Sequence, residues 1–362
     1  MSFVRRMERI QKYLDENKLD VLLIDDHISL LYLTGLYLSA GILLISKQHS
    51  CLLVDGRYLA VAKSKSPYPV MPLDEEVVLE FFDEHGANLS KKIAFNSQKT
   101  SYKSYLKLVR LIDRLKEQKK VIDFKLVPVD DPLKDLMLIK DADEIAAMKK
   151  AADLTWRAFE HICLFLKEGL TERDVAIEFE LFCKKNGAKA LSFQPIIAFN
   201  KNTAFPHHNV SDTKLQKNDA VLIDVGVVVD DYCSDMTRMV FLGEPPTDIE
   251  KLYSIVKKAQ NKALSVCKPG ARIGDLDKMA REVMAQEGVE KLFIHSLGHG
   301  VGMQVHEYPR IKWDGEDKDL QLKPGMVITI EPGLYDPEVG GARYEDMVLI
   351  TQEGYENFFS SV

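Results

Sequence analysis

Between Ala220 and Phe241 the chain runs Ala-Val-Leu-Ile-Asp-Val-Gly-Val-Val-Val, then Asp230-Asp231, then Tyr-Cys-Ser-Asp-Met-Thr-Arg-Met-Val-Phe. Two apolar, β-branched runs joined by a polar pair predict a β-hairpin. With the turn centred on Asp230-Asp231, residue i faces residue 461 − i, so Gly226 lies opposite Asp235 and Asp224 lies one diagonal step away on the same face. Diagonal side chains in a sheet are roughly 7 to 8 Å apart, within reach of a common pair of ions. Gly226 is expected to leave that space open. An aspartate inside Val-Leu-Ile-Asp-Val is costly to bury unless a cation compensates it.

A second segment repeats the design. Met326-Val-Ile-Thr-Ile-Glu-Pro-Gly-Leu-Tyr335, a loop containing Gly340-Gly341, and Ala342-Arg-Tyr-Glu-Asp-Met-Val-Leu-Ile350 form another candidate hairpin. Centring its loop on Glu338 makes Glu331 face Glu345, and this facing, not an exact register, is the expectation. Between the two hairpins lies Leu297-Gly-His-Gly-Val-Gly302, whose alternating glycines argue against a helix and are expected to let the backbone approach a ligand. The stretch lacks the spacing and downstream acid of a dinucleotide loop. Asp224, Asp235, His299, Glu331 and Glu345 together make an oxygen-rich donor set with one imidazole. Such a set suits hard or borderline divalent cations and needs no cysteine. Five of the nine histidines, His207, His208, His295, His299 and His306, fall between positions 207 and 306. A lone histidine is more often structural than functional, so His27, His49, His85 and His161 receive no role.

Length and composition bound the remainder. At 362 residues the chain calls for two domains. The composition, 46% hydrophobic and 28% charged, is that of a globular protein, and no apolar run approaches the roughly 18 residues that would cross a bilayer. A net charge of −7 argues against nucleic acid as a partner. Five scattered cysteines without a CxxC pair fit a reducing cytoplasm. Near the N-terminus, Met7, Ile10 and Leu14 at helical spacing predict a helix over 5–18, not a signal peptide. A strand over 20–25, strands over 41–46 and 51–54, and helices near 57–64 and 100–118 complete an α/β domain. The charged, proline-punctuated stretch from Lys119 to Pro132 is the expected boundary, giving domains 1–130 and 131–362.

The second domain opens with an acidic first turn at Asp141-Ala-Asp-Glu, predicting a helix to about Lys167. It also echoes itself. Lys167-Glu-Gly169-Leu-Thr-Glu-Arg-Asp174 and Gly187 return as Lys268-Pro-Gly270-Ala-Arg-Ile-Gly-Asp275 and Gly288, each 101 positions on. The same helix-helix-sheet unit is therefore expected twice.

The motifs Ile-Asp-Val-Gly226, Ser234-Asp-Met-Thr-Arg, His295 to Glu307, Thr329-Ile-Glu-Pro-Gly-Leu-Tyr and Arg343-Tyr-Glu-Asp resemble the proline-specific metallopeptidases of the creatinase, methionine aminopeptidase and prolidase superfamily. Leu33-Thr-Gly35, Ser39-Ala-Gly41 and Asp55-Gly-Arg-Tyr58 resemble that family's N-terminal domain, so the similarity covers nearly the whole chain. By this resemblance the fold is an α/β creatinase-like N-terminal domain followed by an α+β "pita-bread" catalytic domain with internal duplication. Asp224, Asp235, His299, Glu331 and Glu345 would hold two divalent ions, Asp235 and Glu345 touching both. Manganese is the expected metal, with cobalt or zinc as substitutes. His207 matches a substrate-contacting histidine, His295 one lining a proline pocket, His306 one that polarises the scissile carbonyl, and Arg343 a supporting or substrate-binding arginine. The chain departs from the family pattern at His208, where glycine is frequent, and at Leu36-Tyr37-Leu38.

The activity implied is removal of an N-terminal residue from peptides whose second residue is proline, an Xaa-Pro aminopeptidase. Ser39-Ala-Gly41 with Asp55-Gly-Arg-Tyr58 leans that way. The nearest alternative is a dipeptidase that cuts only Xaa-Pro, and a more distant one is a metal-free binding module, which would have lost a ligand. Glu331 would shuttle the proton and His306 would steady the developing oxyanion. Proline-containing peptides are the expected partners and a homodimer the expected assembly, without nucleic acid or membrane.

Overall fold

A computed structural model of the chain describes residues 3–85, 90–119 and 123–359. It falls into two compact units, Met1–Met137 and Leu138–Val362. The N-terminal unit begins with α1 (Phe3–Glu16), which buries Met7, Ile10 and Leu14, the residues whose spacing predicts it. Burying a side chain such as Leu14 contributes about 1.5–3 kcal/mol. There follow β1 (Val21–Ile24), α2 (His27–Thr34), β2 (Gly41–Ser46), β3 (Ser50–Val54), α3 (Leu59–Lys65), β4 (Val70–Pro72), α4 (Glu75–His85), β5 (Ser90–Asn96), α5 (Tyr102–Lys119), β6 (Asp123–Val129) and α6 (Lys134–Leu138). The strands form one six-stranded sheet in the order β4-β3-β2-β1-β5-β6. Its centre mixes directions, β1 pairing antiparallel with β2 and parallel with β5. Strand β1 is buried along its whole length, which is why Val-Leu-Leu-Ile shows no polar alternation. Leu23, Leu44, Leu53 and Ile93 of the sheet pack with Val78 and Phe81 of α4 and Leu108 and Ile112 of α5.

The stretch from Lys119 to Pro132 carries β6, which pairs in parallel with β5 from Ser90↔Asp123 to Asn96↔Val129. Residues 120–122 of that stretch lie outside the described residues. The units divide after Met137 instead of at 130 because the chain beyond β6 stays in the N-terminal core. Leu133 and Leu136 are buried, and the Tyr32 hydroxyl donates to the Leu136 carbonyl at 3.3 Å.

Early in the second unit Asp141 caps α7 (Ala142–Phe165) in a reciprocal capping box with Glu144. Then come α8 (Glu172–Lys185), β7 (Ala190–Leu191), β8 (Ile196–Phe199), β9 (Ala220–Val225), β10 (Val227–Val229), β11 (Tyr232–Cys233), β12 (Met236–Phe241), α9 (Thr247–Leu264) and α10 (Ile273–Gln286). The last strands are β13 (Gly298–Gly300), β14 (Glu307–Ile311), β15 (Val327–Ile330), β16 (Gly333–Asp336), β17 (Gly340–Arg343), β18 (Asp346–Ile350) and β19 (Tyr355–Asn357). The expected duplication is present. Gly169 and Gly270 take the same left-handed turn, with φ of +91° and +83°, and donate to Leu215 and Leu322 carbonyls at 2.8 and 2.9 Å. Thr171 and Arg272 each form a single β-bridge, to Lys214 and Gln321. Gly187 and Gly288 end α8 and α10 with φ of +99° and +73°. Each helix pair leads to an antiparallel sheet of matching order, β8-β9-β12 and β13-β15-β18, the second extended by β14 and β19. A bridge between Thr237 and Glu345 joins the two sheets. Beneath lies a core that includes Leu222, Val256, Leu276, Ile328 and Val348.

Candidate metal centre

Both hairpins form in the expected registers. In the first, Thr237↔Asp224 and Val228↔Cys233 obey the 461 − i pairing. In the second, Ile330↔Asp346 and Gly333↔Arg343 both have positions totalling 676, as Glu331 and Glu345 do. Asp224 lies within the fully buried strand β9. Asp235 and Glu345 immediately precede β12 and β18, and Glu331 immediately follows β15, so the acids gather at neighbouring strand ends.

Two expectations about glycines are corrected. A Cβ on Gly226 would collide with the carbonyl of Ser234, so this glycine permits a close backbone contact and does not open space for ions. A Cβ on Gly298 or Gly300 would strike the carbonyls of Thr329 and Tyr308, so these glycines admit neighbouring strands, not a ligand. Between His299 and Gly300 the pairing of β13 with β14 shifts, a bulge of the kind that re-aims a side chain.

Candidate ligand atoms of Asp235, His299 and Glu345 all lie within 4.8 Å of one another. Glu331 adjoins this group, its Oε1 lying 3.3 Å from His299 Nε2, which is 3.7 Å from Asp235 Oδ2. His299 Nδ1 faces the Gly300 carbonyl at 3.0 Å. A carbonyl only accepts, so Nδ1 donates and Nε2 is the nitrogen turned to the carboxylates. Asp224 pairs through Oδ2 with Arg343, while its buried Oδ1 has no partner.

Burial and repulsion from Glu345, Asp224 and Glu331 push the Asp235 carboxyl well above its usual range. Burial, then Glu331 and Asp224, do the same to Glu345. Burial also raises Asp224, with Arg343 opposing. Glu331 goes the other way: burial raises it, but His299, His295 and Arg343 together outweigh burial and bring it to about 2. Burial disfavours charge on His299, yet Glu331 raises its pKa overall. Four crowded carboxylates, an orphaned carboxylate oxygen and an imidazole nitrogen turned towards the acids fit a divalent cation, because added positive charge removes the repulsion.

The same cavity, of about 1160 Å³, is lined by all nine residues singled out in the sequence: the five candidate ligands with His207, His295, His306 and Arg343. The ring centroids of His306 and His299 are 4.4 Å apart, the planes crossing at 72°. Arg343 donates to Thr237 Oγ1 at 3.0 Å and to Tyr335 OH at 2.7 Å, and Thr237 Oγ1 donates to Glu345 at 2.7 Å. Tyr335 OH is 3.0 Å from His295 Nε2, and His295 Nδ1 is 2.8 Å from the Ser296 carbonyl. Arginine cannot accept, so the tyrosine proton goes to His295 Nε2 and Nδ1 carries the other hydrogen. His295 is thus a neutral ring, in keeping with burial lowering its pKa.

Sequence reasoning missed Tyr335, Thr237 and Arg238, although all three lie inside the quoted motifs. Arg238 donates to the Glu345 carbonyl and to Asp346 Oδ1, both at 2.6 Å. Arg310 was also missed. It pairs with His299 across β13 and β14, and so shares its face of the sheet on the cavity wall. Among the described residues it has no carboxylate partner, whereas Arg173 pairs with Asp212 and Arg343 with Asp224.

The sequence matches the profile of metallopeptidase family M24 over residues 146–352 and that of the creatinase/prolidase N-terminal domain over residues 6–136. It is 36% identical over 350 residues to an Xaa-Pro dipeptidase of Pyrococcus furiosus, covering 96% of each chain. Among solved structures it resembles an Xaa-Pro dipeptidase from Bacillus anthracis, with a TM-score of 0.90, 32% identity, and coverage of 100% of this chain and 98% of that one. An X-Pro aminopeptidase from Thermotoga maritima matches with a TM-score of 0.86 and 30% identity over 97% of each chain.

Proposed function

The chain belongs to metallopeptidase family M24, and from that premise we propose that it is an Xaa-Pro dipeptidase, cutting the bond before proline in dipeptides. The observation that carries this choice is likeness over nearly the whole length to Xaa-Pro dipeptidases. It displaces the aminopeptidase reading favoured by the N-terminal motifs. A dipeptide ends in a free carboxylate, and Arg310 on the cavity wall is a cation available to meet it.

Asp224, Asp235, His299, Glu331 and Glu345 would hold two divalent ions, with manganese the preferred metal for so many oxygen donors. When bound, the ions supply Lewis acidity and lower the pKa of water to near neutrality. Glu331, ionised at neutral pH, accepts the proton from the attacking water and passes it to the leaving nitrogen. That transfer is essential, because the proline amide nitrogen carries no hydrogen and cannot leave as a stable amine without one. His306, which also lines the cavity, stabilises the charge that develops on the carbonyl oxygen. His207 contacts the substrate, and the neutral His295, held by Tyr335 and Ser296, forms a wall for the proline ring. Arg343 holds Asp224 in place and joins it to Tyr335.

A cavity of about 1160 Å³ exceeds the roughly 300–1,000 Å³ of common ligand sites, which favours the second reading, an aminopeptidase acting on longer peptides. The two readings make different demands on Arg310. For a dipeptidase, Arg310→Ala should reduce kcat/KM on Xaa-Pro by about tenfold or more, loss of a charge-assisted contact being typically worth 1.5–3 kcal/mol, and should leave the Xaa-Pro amide little changed. Equal losses on the acid and the amide would remove Arg310 from carboxylate recognition.

A further inference from the structure

His207 makes no hydrogen bond to any described residue, so its place on the cavity wall depends on how its backbone is held. On one side the Pro206 carbonyl accepts from Arg343 at 3.4 Å. On the other side is His208, whose Nε2 donates to Glu172 Oε2 at 2.8 Å. The side chain of Glu172 is 0% exposed at the first turn of α8, and five donors converge on it. Phe199 N and Asn202 Nδ2 reach Oε1 at 2.9 and 2.8 Å. Ser211 N and Ser211 Oγ join His208 at Oε2, at 2.9 and 2.6 Å. A buried carboxylate is tolerable only when its lone pairs are met in this way. The donors come from the end of β8, from the turn that follows it, and from both ends of the 208–211 segment. One carboxylate therefore ties four residues of the 199–211 segment, Phe199, Asn202, His208 and Ser211, with His207 between the second and third.

We propose that Glu172 and His208 are positioning residues for the reaction: the buried carboxylate grips His208 and Ser211 and so fixes the segment that presents His207 to the substrate. This rests on the role of His207 given above. A catalytic-side histidine without hydrogen bonds of its own gains most from such restraint, since small misplacements of a contacting group are costly.

The test measures kcat and KM on an Xaa-Pro dipeptide with saturating metal for wild type, His208→Ala, His208→Gln, His207→Ala and the His207→Ala/His208→Ala double variant. Amide hydrogen exchange over 199–211 is followed in parallel. His208→Ala should raise KM by about tenfold with kcat within about twofold, the pattern of lost ground-state positioning. His208→Gln, whose amide still donates to Glu172, should recover most of that loss. In the His207→Ala background, His208→Ala should add nothing, because the two act through one contact. Exchange over 199–211 should quicken in His208→Ala. Glu172→Gln is expected to show the same KM increase, and the His208 variants carry the test if it does not fold. Multiplicative effects of the two histidine changes, or a lower Tm with unchanged KM, would overturn the proposal. A wild type inactive on Xaa-Pro would instead overturn the functional reading on which it rests.

Discussion

Burial and mutual repulsion raise the carboxyls of Asp235 and Glu345 well above their usual range in the absence of a cation. A raised folded-state pKa gives stability that is full below the unfolded value of about 4 and is lost as pH rises through the folded value. In that window the metal-free protein would carry protons on these acids that a binding ion must expel. Calorimetry of metal binding near pH 6 in buffers of different ionisation enthalpy should therefore show net proton release, shrinking as pH rises; no release would contradict the raised values. Asp235→Asn should separate charge from ligation. Removing one repelling carboxylate should raise the Tm of the chelated protein, by about 2–4 °C per kcal/mol relieved, while abolishing tight metal binding. His306→Ala should keep both metal content and Tm but lose on the order of 10² to 10³ in kcat, as for loss of an oxyanion donor. A loss below about tenfold would remove His306 from that role. The acids and histidines were legible in the sequence because charge inside apolar strands or among clustered histidines is improbable without a purpose. Glu172, Tyr335 and Arg310 were not. Each is recognised only by the neighbour that folding sets beside it: His208 for Glu172, Arg343 for Tyr335 and the facing His299 for Arg310.

At the scale of elements, hairpin registers were readable because a local turn and two-residue alternation determine them together. The function of Gly226 was misread for the same reason: the register placed it opposite Asp235, but only the folded sheet reveals the Ser234 carbonyl against it. Gly226→Ala should then destabilise the unit by about 1–3 kcal/mol, the usual cost of overpacking, without removing any ligand. Denaturant titration with metal analysis checks this; an unchanged midpoint would mean that the contact relaxes freely. In the N-terminal unit β1, β2 and β3 were legible as apolar runs, whereas β4, β5 and β6 were not. They join the sheet through parallel pairings with distant segments, for which local sequence carries no turn signal.

At the scale of the whole molecule, the repeat at 101 residues was legible because glycines with positive φ mark equivalent turns in both halves. The division into two units lies later than composition suggests, since the proline-punctuated stretch is itself a strand. Duplication places two acids at the strand ends of each half-sheet, and Thr237 meets Glu345 where the halves join. A centre built this way should depend on divalent ions. Exhaustive chelation should abolish turnover, and adding back manganese should restore it. The central claim is metal-dependent cleavage of the Xaa-Pro bond in dipeptides. Its most direct measurement is kcat/KM of the manganese-restored protein on matched Xaa-Pro, Xaa-Pro-Yaa and Xaa-Ala peptides. The account predicts turnover of Xaa-Pro at least on the order of 10²-fold above Xaa-Ala, the cost of a misplaced scissile bond, and well above Xaa-Pro-Yaa. Equal rates on Xaa-Pro and Xaa-Ala, or full activity after exhaustive chelation, would contradict it.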